Sequence, residues 1–171
     1  MPSHTISVLV ENEFGVLARV AGLFSSRGYN IESLTVAADP LDPTVSRIVL
    51  VTSGDEQVLE QINKQLNKLV SVIKVTDFQD VDTIDREMVI VKVAVEERTR
   101  SELDSIVQAF RAHVVDIGPN STAVEITGDS DKIKAFVALV RPLGIKEIIR
   151  SGKITMARSV QLNTNGHRHQ R

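Results

Sequence analysis

Asn12-Glu13-Phe14-Gly15-Val16-Leu17, answered downstream by Arg27-Gly28-Tyr29-Asn30-Ile31-Glu32, is the stretch from which the fold can be read. Ahead of it, Ile6, Val8 and Val10 recur at every second residue, as in a strand with one buried face. Behind Gly15, the residues Val16, Leu17, Val20, Ala21 and Phe24 recur at helical spacing. Gly28 stops that helix and Asn30 opens the next strand. A strand running through a polar, glycine-containing turn into a helix leaves backbone N–H groups without partners at the helix start. Gly15 lets a ligand approach them, and the helix dipole favours a carboxylate there.

Outward from this stretch, the first half of the chain reads as strands at about 5–11, 30–38, 46–53 and 71–78, with helices at about 15–27 and 55–69. The second helix carries Val58, Leu59, Ile62, Leu66 and Leu69 on one face. Asp39-Pro40-Leu41-Asp42-Pro43 is a turn-rich link between the two middle strands. The order βαββαβ predicts an α+β ferredoxin-like sandwich, a four-stranded antiparallel sheet with two helices on one face. Residues 79–86 lack periodicity and read as a linker.

The pattern then restarts with a strand at about 87–96 and a helix at about 100–112 bearing Leu103, Ile106, Val107 and Phe110. Thr99 with Glu102 matches a capping box. Two strands flank Gly118-Pro119-Asn120-Ser121. A helix at about 130–141 carries Ile133, Phe136, Val137 and Val140 and is closed by Pro142, with one or two strands following at about 145–157. The chain is therefore expected to hold two tandem βαββαβ units, residues 1–79 and 80–159, and a polar tail, 160–171, expected to be disordered.

Composition removes many functions. In 171 residues the net charge is −2, so no global field draws in nucleic acid or an anionic membrane. There is no cysteine, which excludes disulfides, thiolate catalysis and Cys-ligated metals. Met-Pro-Ser-His passes straight into a strand with no basic and apolar signal segment. No apolar run approaches the roughly 18 residues a membrane span needs. A soluble cytoplasmic protein is the expectation. Neither G-x-x-x-x-G-K-[ST] nor G-x-G-x-x-G is present. His4 and His113 have no neighbour at metal-ligand spacing, and His167 and His169 fall in the polar tail. Asp80, Asp82 and Asp85 lack the glycine and closing glutamate of a calcium loop. RNA-binding domains of this layout stack bases on strand aromatics, yet Ile31–Val36 and Arg47–Val51 contain none.

For Asn12–Leu17, the plain reading is a capped strand-to-helix turn. Against it, Asn12 and Asn30 both lie where the first helix connects to the sheet. Their amides can pair with the two charged groups of an amino acid. Strands rich in β-branched residues also suit edge-to-edge pairing of two such sheets, which would put sites at a dimer boundary.

The N-E-x-G-V-L turn and the run Leu23-Phe24-Ser25-Ser26-Arg27-Gly28-Tyr29-Asn30-Ile31-Glu32-Ser33-Leu34 together resemble the ACT domain of the small, regulatory subunit of acetolactate (acetohydroxyacid) synthase. The likeness continues through Asp77 and, more loosely, to about Val160. The resemblance implies a non-catalytic subunit whose ACT domains pair side by side as a homodimer, with a branched-chain amino acid, usually valine, at their interface. By position it assigns Asn12, Gly15 and the amides of Val16 and Leu17 to the ligand carboxylate. Asn30 of the partner chain would meet its ammonium or carboxylate, with Leu17 and Ile31 as apolar contacts. It implies that thiamine diphosphate, Mg²⁺ and FAD belong to the large catalytic subunit, which this chain would activate and make sensitive to feedback. Val95-Glu96-Glu97-Arg98 has no glycine, so the second unit lacks a matching turn. Two other classes compete. A free-standing amino-acid sensor for transcription would need a helix-turn-helix or basic patch. An enzyme would need a convergent catalytic cluster, and neither feature is evident.

Overall fold

The computed structural model describes residues 3–160; the tail with His167 and His169 lies outside them. The chain divides after Ile84: one unit runs to Ile84 and takes in the chain from Thr155, and the other is Asp85–Ile154.

The first unit is built from β1 (Ser3–Glu11), α1 (Val16–Ser26), β2 (Ile31–Ala38), β3 (Val45–Ser53), α2 (Glu56–Asn67) and β4 (Val72–Asp77). Its antiparallel sheet has the order β2-β3-β1-β4, leaving β2 and β4 as edges. Ile6, Val8 and Val10 of β1 and Ile48 and Leu50 of β3 face the helices, meeting Val20 and Phe24 of α1 and Leu59, Ile62 and Leu66 of α2. Two-residue periodicity on the strands and four-residue spacing on the helices therefore define one core. Helix α1 ends in a Schellman arrangement: the Gly28 N–H donates to Ser25 O (3.2 Å) and the Tyr29 N–H to Phe24 O (3.0 Å). Gly28, at φ 71°, makes that reversal without Cβ strain.

A polar side chain without a partner interrupts this core. His4 is 4% exposed, on the same face of β1 as Ile6, and no group among the described residues partners either ring nitrogen. A buried donor left unmade costs about 1–3 kcal/mol. His4→Leu is therefore expected to stabilise the protein by about 1–2 kcal/mol in urea unfolding. A loss of stability would show that the imidazole has a partner.

The second unit repeats the plan with β5 (Thr83–Ala94), α3 (Arg100–Phe110), β6 (His113–Ile117), β7 (Ser121–Gly128), α4 (Ser130–Gly144) and β8 (Ile145–Arg150). The order is β6-β7-β5-β8, and β9 (Ile154–Ala157) also pairs with β5. Val89, Val91 and Val93 of β5 pack with Leu103 and Val107 of α3 and with Ile133, Phe136 and Val140 of α4. The Phe110 and Phe136 rings meet edge to face at 5.6 Å. The fold is α+β with two ferredoxin-like βαββαβ units in tandem.

Three local expectations are corrected. Strand β5 begins at Thr83, inside the expected linker, because ladder pairing holds a polar segment that has no apolar period. The Arg158 N–H donates to Asp82 O (2.8 Å), and Lys153 pairs with Asp85 (2.9 Å). The Thr99–Glu102 capping box does not form. Thr99 Oγ1 instead accepts from the Glu96 N–H (3.1 Å) and donates to Glu96 O (3.2 Å), closing the preceding turn. Pro142 lies inside α4, which runs on to Gly144 at φ 100°. In the last turn its missing N–H removes one bond, to the Ala138 carbonyl, and the helix survives that loss.

Candidate functional site

Helices α2 and α4 begin with aspartate caps: Asp55 accepts from the Val58 N–H (2.9 Å) and Asp129 from the Lys132 N–H (2.8 Å). Helix α1 differs. Its cap is Gly15 at φ 84°, ψ −4°, with no side-chain cap bond and no acidic residue in the first turn. The Val16 N–H faces Glu13 O at 3.4 Å, and the next helical bond is Arg19 N–H to Gly15 O at 3.1 Å. Among the described residues no acceptor meets the N–H of Leu17 or Ala18. A Cβ built on Gly15 would meet nothing within 4 Å, so the space above the turn is open and the positive φ alone demands glycine. Such a turn offers two free donors, the positive end of a helix dipole and an unobstructed approach.

Two neighbouring loops brace the turn. The Glu11 N–H donates to Ser71 O (2.9 Å) and the Asn12 N–H to Thr44 O (2.8 Å). Asn12 Nδ2 donates to Pro43 O (2.9 Å), which leaves its second N–H and its carbonyl oxygen for a ligand. The 39–44 loop is itself tied together by Asp42, which accepts from Thr44 Oγ1 (2.6 Å) and the Thr44 N–H (3.0 Å). Those two bonds, the side-chain one foremost, hold the Asp42 carboxyl below its ordinary value of 3.8. The sign follows: the folded pKa is depressed, so the tie is complete above the ordinary value and is lost as pH falls through the lowered one. The brace is thus intact at neutral pH. Arg19, one turn into α1, donates from Nη1 to Ser71 Oγ (3.3 Å) and adds a cation beside the turn. The sequence reading named neither Arg19 nor the Ala18 amide. Both follow from counting one turn past Gly15.

The remaining predicted residues are distributed unevenly. Val16 is buried (3% exposed) and its amide, expected to meet the ligand, is already turned to Glu13 O, so the amides of Leu17 and Ala18 are the free ones; Leu17 is 41% exposed. Asn30 and Ile31 open β2 at the far end of the sheet. Thr52 Oγ1 donates to Asn30 O (2.7 Å), while Ile31 is half-buried against the core. Asn12 neighbours Thr44 and Asn30 neighbours Thr52. At about 3.3 Å per residue along β3, these two ends are roughly 26 Å apart. Within one protomer the two amides do not meet.

The fold and this turn are those of an ACT-type regulatory module. The family model "AHAS small subunit-like ACT domain" matches residues 6–74, and "Small subunit of acetolactate synthase" matches residues 86–159. The chain is 48% identical over 158 residues to an acetolactate synthase small subunit of Mycobacterium leprae, covering 92% of this chain and 93% of that protein. It is 43% identical over 160 residues to the small subunit of Aquifex aeolicus, covering 93% and 83% respectively. The crystal structure of the Thermotoga maritima acetolactate synthase small subunit superposes with a TM-score of 0.84 at 37% identity, over 92% of this chain and 98% of that one. The chain belongs to the acetolactate synthase small-subunit family and carries its ACT domain. Such a subunit is a regulatory partner of the catalytic chain. No helix of the described residues is long and apolar enough to cross a membrane.

Proposed function

We propose that this chain activates the thiamine-diphosphate-dependent catalytic subunit of acetolactate synthase and makes it sensitive to feedback by valine. Residues 1–79 form the sensing and dimerising domain, 80–159 the second domain and 160–171 a tail. The reaction's cofactors (thiamine diphosphate, Mg²⁺ and FAD) sit on the large subunit, in the cytoplasm.

The observation that carries this reading is the uncapped start of α1, with Gly15 open and the Leu17 and Ala18 amides free. Those amides, with Asn12, take the ligand carboxylate. The placement of Asn30 supports a dimer. Strand β2 is a free edge whose Leu34 and Val36 are 37% and 40% exposed. Antiparallel pairing of β2 with its two-fold copy sets the start of one β2 beside the end of the other. The end of β2 lies next to the 39–44 loop that braces Asn12, because Ala38 pairs with Ser46 and the Asp39 N–H donates to Val45 O. Asn30 of one chain thereby reaches the turn of the other, where it meets the ligand ammonium. Ile31 of that chain and Leu17 of the first flank the ligand's aliphatic side chain. A ligand shared by two chains favours one arrangement of them, a coupling of about 1–3 kcal/mol.

Isothermal titration of valine into the wild type and Asn12→Ala tests this assignment. One charge-assisted hydrogen bond is worth about 1.5–3 kcal/mol, so affinity should fall about tenfold or more. Unchanged binding would remove Asn12 from the site. Assay of the cognate catalytic subunit with and without this chain, across valine, leucine and isoleucine, tests activation and ligand choice together.

A further inference from the structure

The second unit holds a cleft of about 480 Å³ between α4 and the β8 edge of its sheet. That size lies within the usual range for small-molecule sites, about 300–1,000 Å³. Its wall is aliphatic: Val89 of β5, Ile133 and Val137 of α4, and Ile148 of β8, which stays 45% exposed. Its charged lining is entirely cationic, from Lys134, Arg141 and Arg150.

The arrangement follows from the chain reversal at Gly144. Strand β8 runs back along α4, so the early turns of the helix lie against the end of the strand. Ser130 Oγ at the helix start and Arg150 Nε at the strand end both contact the same buried carboxylate, Glu87, at 2.6 and 3.5 Å. Lys134 is one turn on from Ser130, so Lys134 and Arg150 share that end of the cleft. Moving along it, Ile148 comes two residues back on the strand, while Val137 and Ala138 come about one turn along the helix. A pair of cations is thus followed by an aliphatic trough.

Arg150 is held by a buried partner, and the three charges are at most partly met. Glu87, 7% exposed, fixes the Arg150 side chain through Nε and leaves the outer guanidinium N–H groups available. Among the described residues Lys134 pairs only with the highly exposed Asp131 at 4.0 Å, a contact worth little in water. No carboxylate of the described residues pairs with Arg141. Among the described residues no aromatic side chain lines the cleft, so none there would stack on a nucleobase or flavin ring.

We propose that this cleft binds a small aliphatic carboxylate, its anionic group between Lys134 and Arg150 and its hydrocarbon body on Val137, Ala138 and Ile148. Glu87 acts as the positioning residue for Arg150. This site is separate from the amino-acid turn and does not rest on that reading. It needs no ammonium on the ligand, and nothing in the lining would accept one in a salt bridge.

The test is isothermal titration and amide-shift mapping of the full chain with 4-methylpentanoate, beside 4-methylpentylamine and inorganic phosphate. Saturable binding of the carboxylate, with shifts at Lys134, Ala138 and Ile148, is expected. The amine should not bind, and phosphate should compete poorly. Lys134→Gln, a change on an exposed side chain, should weaken binding about tenfold by removing one charged contact. Ala138→Phe should fill the trough and abolish binding, with thermal unfolding confirming that the variant is folded. Gly15→Val should titrate with 4-methylpentanoate like the wild type, which separates this site from the other. Absent binding, affinity unchanged in Lys134→Gln, or equal binding of the amine or of phosphate would overturn the proposal.

Discussion

Gly15→Val should lower valine affinity about a hundredfold while leaving the protein folded. Gly15 sits at φ 84°, where an L-residue with a Cβ is strained by about 1–2 kcal/mol and a β-branched one by more. No neighbour collides with the new side chain, since nothing lies within 4 Å of its Cβ. The stability cost is therefore about 2–3 kcal/mol, within the 5–15 kcal/mol by which domains are usually stable. Binding suffers more. The isopropyl group occupies the open approach to the Leu17 and Ala18 amides, so the carboxylate loses donors and the dipole of α1 together. Thermal unfolding and valine titration on the same sample separate the two effects. A folded variant that titrates like the wild type would show that Gly15 serves only the turn.

The periodicities of Ile6–Val10, Val16–Phe24 and Val58–Leu66 are local, so their elements were readable and their shared core followed. The Gly28 stop was readable for the same reason. What depends on pairing between distant segments was not. Thr83–Glu87 is polar and joins a strand because of its ladder partners, which a single segment cannot reveal. Thr99 and Glu102 have the spacing of a capping box, but the Glu96 backbone competes for the same hydroxyl and wins. Lys134 and Arg150 become neighbours only because β8 reverses along α4, so no motif marks their cleft. Asn12 and Asn30 show the boundary most clearly. Both flank α1, as the sequence suggests, but a helix carries the chain from one end of the sheet to the other. The two amides are consequently at opposite ends. A single amino acid, a few ångströms across its charged groups, cannot touch both in one protomer.

That separation makes the dimer reading sharply testable by mixing defective chains. Asn12→Ala and Asn30→Ala should each bind valine poorly as homodimers, because every interfacial site lacks one amide. A heterodimer of the two variants is different. One of its sites combines Asn12 of the Asn30→Ala chain with Asn30 of the Asn12→Ala chain and is intact; the other lacks both. Random exchange makes about half the dimers mixed, each with one good site of two, so about a quarter of wild-type capacity should return. Titration at valine concentrations between the wild-type and mutant affinities reads this directly, and each unmixed variant is its own control. If both amides acted within one chain, mixing would restore nothing, because no chain in the mixture holds both. If Asn30 served only to start β2 through the Thr52 bond to its carbonyl, Asn30→Ala would bind normally before any mixing, since the backbone oxygen survives the substitution. The regained quarter therefore separates a site shared between two protomers from both alternatives.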